Sequence, residues 1–167
     1  MTKNIFINKV EASGIIALDL IDYKPSIIVT EFDIKNLLYM NLIVKEKEFR
    51  ALLSQMDLTP YQGKAIAFIC SVDAIIPQWV YMSLAEKFDG VATYIDFKDK
   101  ESIIVDLWEE NLSKTDLSSY NNQKVVVRAR EEVPPALYMA AASLLKPIVK
   151  TLMYGEIGMP KVIYKQQ

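Results

Sequence analysis

The chain has 167 residues and a mass of 19.0 kDa, enough for one domain with its own buried core and without help from disulfides or metals. Apolar residues make up 51% and charged residues 24%, which excludes a disordered or low-complexity chain. A single cysteine, Cys70, and no histidine exclude an intramolecular disulfide, a dithiol redox pair, Ser-His-Asp and Cys-His catalytic groups, zinc sites of the Cys/His type and an iron–sulfur cluster ligated within one chain.

In chain order, the N-terminal stretch has too short an apolar run for a signal peptide. Gly14 opens a strand over 15–20, and the turn Asp22-Tyr23-Lys24-Pro25 leads to a second strand over 27–32, so the spacing predicts a β-hairpin. Asp33 caps a short helical turn. A helix fits 45–56, with Phe49, Leu52, Leu53 and Met56 on one face and Glu46 and Arg50 paired on the other. Ala65 to Ile69 reads as a strand buried on both faces. Pro77 starts a helix through Phe88, Gly90 stops it, and 91–95 is a strand. Asp99 caps a helix with Ile104, Leu107, Trp108 and Leu112 inward. Val125-Val126-Val127 is another strand. Pro134-Pro135 begins a long helix running past Leu152, kinked at Pro147 and closed by Gly155. The alternation of Val162 and Tyr164 suits an edge strand or a reach to a partner, with simple docking of the C-terminus as the alternative, and no internal repeat is visible. The reading is an α/β fold in one three-layer domain over residues 1–167, with a mainly parallel central sheet and an N-terminal β-hairpin.

Net charge is −2 and the isoelectric point about 5.3, with no basic stripe and no interleaved aromatics, so nucleic acid is not expected as a partner. Charge is unevenly spread. Residues 64–116 hold 5 Lys/Arg against 10 Asp/Glu, and residues 117–167 hold 7 against 3, which fits either scattered solvated charge or an acidic part facing a basic one, within a protomer or across a dimer. No apolar run is long enough to span a membrane. With one cysteine the chain reads as cytoplasmic.

The candidate crevice is the loop 70–77, Cys70-Ser71-Val72-Asp73-Ala74-Ile75-Ile76-Pro77, at the end of the central strand and the start of a helix. A helix N-terminus there favours a thiolate or an anion, and Asp73 caps the helix or holds a cation. Equally, Cys70 is a small buried residue and Asp73 a simple cap. Arg128 and Arg130 suit a phosphate or carboxylate, with Glu131 and Glu132 beside them as an alternative surface patch. Parallel strands in one sheet would bring Cys70, Ser71 and Asp73 to the same edge as Asp96, Arg128 and Arg130. No phosphate-loop motif, no Asp-x-Asp pattern and no metal or cofactor site is evident.

Phe32-Asp33-Ile34-Lys35, Val44-Lys45-Glu46-Lys47-Glu48-Phe49-Arg50, Tyr61-Gln62-Gly63-Lys64, Cys70 through Trp79 and Met153-Tyr154-Gly155-Glu156 together resemble a bacterial family catalogued as domain of unknown function 2480, nearly end to end. The resemblance implies a cytoplasmic protein with no assigned catalytic residues and a link to iron–sulfur cluster assembly. Relatives often carry Cys-Ser after the Tyr-Gly-Glu block, whereas Ile157-Gly158-Met159 stands here. The order of elements is also similar to STAS domains, whose loop corresponding to 70–77 switches partners. The sequence therefore favours a non-enzymatic interaction or accessory protein, a homodimer with a possible protein partner in the iron–sulfur machinery. The alternative is a small anion-binding or thiol-dependent enzyme centred on Cys70, Ser71, Asp73, Arg128 and Arg130. Seven methionines, nine tyrosines and a long apolar C-terminal helix underlie the dimer expectation.

Overall fold

Two runs of small and β-branched apolar residues, Ala65–Ile69 and Lys124–Val127, are each buried along almost their whole length, and each collects parallel neighbours on both sides. In the computed structural model, which describes residues 13–167, the elements in chain order are β1 (Ile15–Leu18), β2 (Val29–Asp33), α1 (Glu46–Gln55), β3 (Ala65–Ile69), α2 (Gln78–Phe88), β4 (Tyr94–Asp96), α3 (Lys100–Lys114), β5 (Lys124–Val127), α4 (Pro135–Leu145), β6 (Thr151–Tyr154) and β7 (Lys161–Lys165). The fold class is α/β with two mainly parallel sheets, ordered β2-β3-β4 and β1-β5-β6-β7. The N-terminal segment read for a signal peptide lies outside the described residues.

The described chain divides into two compact units. One comprises Ser26–Ile104, and the other joins the residues up to Pro25 to Val105–Gln167. In the first, Phe32 of β2, Phe68 of β3 and Phe88 of α2 meet edge to face at 5.1–5.8 Å, with Phe49 and Leu53 of α1 and Val80 and Leu84 of α2 closing the core. In the second, Trp108 is buried and donates its indole N–H to the Leu20 carbonyl at 2.7 Å. Leu112, Val125, Val126, Leu137, Ala141 and Leu145 are buried in the same unit.

The two units repeat one plan: strand, 3-10 turn, helix, 3-10 turn, strand, helix, strand. Asp19 and Asp33 each cap the 3-10 turn after the first strand, through Ile21 N–H and Lys35 N–H. Phe49 and Trp108 fill matching positions of α1 and α3. Asp57-Leu58-Thr59 and Asp116-Leu117-Ser118 make the same Asp-capped turn. Gly63 and Asn122 then take φ of 69° and 58°, and their N–H groups bond Val91 and Ile148 carbonyls at 2.9 and 2.7 Å. Helices α2 and α4 are both 11 residues long, follow a proline, and bury Val80, Leu84 and Phe88 in one and Leu137, Ala141 and Leu145 in the other. The second unit adds β7, antiparallel to β6, as the alternation of Val162 and Tyr164 predicted.

Three expectations change. An internal repeat is present. The β-hairpin does not form: β1 pairs with β5 and β2 with β3, both parallel, because each strand gains a partner buried on both faces. In place of one central sheet there are two, so β3 and β5 are not neighbours, and the strand order meant to set Asp73 beside Arg128 on a shared edge is corrected. In addition, α4 stops at Leu145, since Pro147 has no N–H to continue the ladder, and Leu152 lies in a strand.

Candidate functional site

In open parallel sheets, ligand crevices form outside the carboxyl ends of the strands. At that edge of the β2-β3-β4 sheet stand Asp33, Cys70, Ser71 and Asp96. Asp33 accepts the Lys35 and Ser71 N–H groups at 3.0 and 3.2 Å and the Ser71 hydroxyl. Partial burial pushes the Asp33 carboxyl up, but the hydroxyl and the two amides outweigh it and hold the group below its usual range. The Ser71–Asp33 pair thereby clasps the end of β2 to the loop after β3. The Cys70 thiol is half-buried and donates to the Val72 carbonyl at 3.2 Å. Asp73 is exposed.

The same edge of the other sheet carries Asp19, Arg128 and Arg130. The Arg130 Nε donates to both Asp19 oxygens at 3.2 and 3.0 Å, and its Nη2 donates to Oδ2. The Arg130 guanidinium and the Ile21 N–H hold the Asp19 carboxyl below its usual range, and Asp19 in turn pushes Arg130 up. Ser71 and Arg130 are counterparts, each three residues beyond the matching strand positions Phe68 and Val127. Each grips the aspartate that ends the first strand of its unit. The Tyr138 hydroxyl pins the following loop, accepting Arg130 N–H at 2.8 Å and facing the Arg128 and Arg130 carbonyls at 3.1 and 3.2 Å. Arg128 is half-buried and lies near enough to Asp19 to lower its pKa further.

Of the five residues singled out from the sequence, Cys70, Ser71 and Asp73 belong to one unit and Arg128 and Arg130 to the other. Sequence reasoning missed Asp19 as the partner of Arg130. The repeated pattern of an aspartate ending an apolar strand, at Asp19 and Asp33, is the signal that was there to use.

Each unit also holds a cavity of about 440 Å³, within the size range of small-molecule sites. One is lined by Phe68, Gln78, Tyr81, Leu84, Asp96 and Phe97, among others. The other is lined by Val127, Pro135, Tyr138, Leu152, Met153 and Tyr154, among others. They occupy matching positions of the repeat: Tyr81 meets Phe97 edge to face at 5.0 Å, and Tyr138 meets Tyr154 likewise at 5.5 Å.

A third feature is apolar and exposed. Residues 39–43 form a tight reversal, with Tyr39 N–H on the Ile43 carbonyl at 2.8 Å and Met40 and Asn41 at φ of 51° and 58°. The reversal is tied to the loop 70–77 by the Ile75 N–H on the Leu42 carbonyl at 3.1 Å. Met40 is 71% exposed and Ile75 77%, with Tyr39, Leu42 and Ile43 also exposed. The Lys45 ammonium caps the Tyr39 ring.

Among the described residues no group of three or more Cys, Asp or Glu is placed to hold a metal ion, and no helix is long and apolar enough to cross a membrane. No curated protein and no solved structure matches the chain. The family described as protein of unknown function (DUF2480) matches residues 4–166, nearly the whole length, and the chain belongs to that family.

Proposed function

We propose that the chain is a non-enzymatic interaction protein of the cytoplasm that docks through the patch formed by Tyr39, Met40, Leu42, Ile43 and Ile75. The observation that carries this reading is the exposure of four large apolar side chains on one braced reversal and of Ile75 on the loop tied to it, since soluble surfaces rarely present such a patch without using it. The commitments of two candidate nucleophiles support it: the Ser71 hydroxyl ties Asp33 to the loop after β3, and the Cys70 thiol donates to the Val72 carbonyl.

The first occupant of the patch is a second copy of the chain, because a two-fold contact needs only one self-complementary surface. The loop 70–77 supplies Ile75 to this surface. In the element order likened to STAS domains, that loop is the partner switch, although the hairpin belonging to the likeness is missing. The accessory role in iron–sulfur cluster assembly implied by the family resemblance is part of the same proposal, exercised through protein contact.

Sedimentation at micromolar concentration tests the reading. The wild-type chain is expected at twice its 19.0 kDa mass, and the Met40→Asp, Ile75→Asp double variant at 19.0 kDa. A wild-type monomer, or a dimer that the double variant leaves intact, overturns it.

A further inference from the structure

The two matching cavities each keep an aromatic pair at the same positions but differ in polarity. In the cavity of the β2-β3-β4 sheet, Phe68, Leu84 and Ile95 form an apolar floor, and Tyr81 and Phe97 an aromatic wall. Two polar side chains line it as well: the Gln78 amide from the first turn of α2 and the Asp96 carboxylate from the end of β4. At the corresponding positions of the other cavity stand Pro135 and Met153, and that lining is apolar apart from tyrosine hydroxyls. The repeat therefore supplies an internal control, with one framework, an aromatic pair in each copy, and an amide and a carboxylate in one copy alone.

Asp96 accepts the Phe97 N–H at 2.8 Å through Oδ1 and pairs with Lys98 at 3.0 Å through Oδ2. A carboxylate has about four lone-pair positions, so each oxygen keeps one for a ligand donor. Because Lys98 already offsets the charge, the matching ligand is neutral, and a phosphate or carboxylate would meet the Asp96 oxygens unfavourably. Gln78 offers an N–H₂ donor to a ligand carbonyl. An apolar floor and an aromatic wall accept a flat ring, and the two polar groups read its edge.

We propose that this cavity binds a neutral planar nitrogen heterocycle of nucleobase size, with adjacent ring N–H and amino donors on Asp96 and a ring carbonyl on Gln78. Guanosine has that edge, inosine lacks its amino donor, and adenosine lacks the ring N–H and the carbonyl.

The test is titration of the full chain with each nucleoside, followed by amide chemical shifts. Guanosine is expected to move the resonances of Gln78, Tyr81, Ile95, Asp96 and Phe97 and to leave those of Tyr138 and Met153 in place. Inosine should bind about tenfold more weakly for the one lost contact, and adenosine more weakly still. Asp96→Asn and Gln78→Ala should each weaken guanosine by about tenfold or more while keeping the wild-type amide spectrum elsewhere. Absence of shifts with guanosine at millimolar concentration overturns the proposal. So do equal affinities for the three nucleosides, or shifts centred on Tyr138 and Met153. The wild-type shift map and nucleoside ranking decide the matter even where a variant fails to fold.

Discussion

Asp19 and Arg130, 111 residues apart in sequence, form a forked ion pair across the carboxyl ends of β1 and β5, in the position where Asp33 and Ser71 make a neutral-donor clasp in the other unit. Both clasps tie the first strand of a unit to the loop after its central strand. One uses a guanidinium and the other a hydroxyl, so only the first is an ion pair.

Asp19→Asn keeps an oxygen for the Ile21 N–H and so keeps the cap, but removes the charge that faces Arg130. At neutral pH the variant is expected to melt roughly 2–4 °C below wild type, the shift produced by about 1 kcal/mol in a chain of this size. The Arg130 guanidinium holds the folded Asp19 carboxyl below the usual carboxylate range. Its stabilisation is therefore fully present above that range and is lost as pH falls through the folded pKa. Thermal scans from pH 7 downward should show the two melting temperatures converging only in the acid range. A gap that persists unchanged at the lowest pH would assign the cost to packing instead.

The buried Trp108 indole N–H on the Leu20 carbonyl joins α3 to the turn after β1. Trp108→Phe places in this unit the residue type that its counterpart, Phe49, already has in the other. The surroundings differ, however, and the substitution removes the donor to Leu20 as well as ring volume. Urea unfolding is expected to show a loss of about 2–4 kcal/mol. A loss under about 0.5 kcal/mol, the range of a neutral surface substitution, would mean that water replaces the indole at Leu20.

The strands and helices were legible because their signals are local: Ala65–Ile69 is apolar throughout, Pro77 and Pro134 precede helices, and Val162 alternates with Tyr164. The pairing of strands was not. Two short strands separated by a turn suit a hairpin equally well, and the competing partners, Ala65–Ile69 and Lys124–Val127, lie far along the chain. The repeat was hidden for three reasons. One unit is split by the other, the stretch from Phe68 to Gln78 is two residues longer than its counterpart from Val127 to Pro135, and buried positions exchange size, as at Phe49 and Trp108 or Leu84 and Ala141. Of the candidate site, Ser71 and Arg130 were picked for chemistry and turn out to hold aspartates. Tyr81, Phe97, Tyr138 and Tyr154 passed unnoticed because their pairing depends on which strand follows which helix in space.

Cys70 tests the thiol-enzyme alternative. Its thiol is half-buried and donates to the Val72 carbonyl, and no cation or amide N–H bonds its sulfur among the described contacts. A thiol that functions as a nucleophile needs an electropositive setting that favours its anion. Iodoacetamide is therefore expected to label the native chain several-fold more slowly than the same chain in urea. Native labelling as fast as in urea, or faster, would revive the thiol reading.

Met40 links stability to docking. Its φ of 51° lies in the left-handed region, where glycine and asparagine are at ease and a long side chain is not, yet its side chain is among the most exposed apolar groups of the unit. A residue chosen for the turn alone would be Gly or Asn, and Asn41 beside it is the kind of residue the turn prefers. Met40→Asn should relieve the strain and raise the stability of the monomer by about 0.5–1 kcal/mol in urea, read at a concentration low enough to keep the chain dissociated. The same variant loses the thioether that the proposed contact buries, so its dimer should dissociate at higher protein concentration than that of wild type. The two effects have opposite signs, which separates them from general misfolding. A variant that is both more stable and equally well associated would show that Met40 serves the turn and not the partner, and the patch would lose one of its two most exposed members.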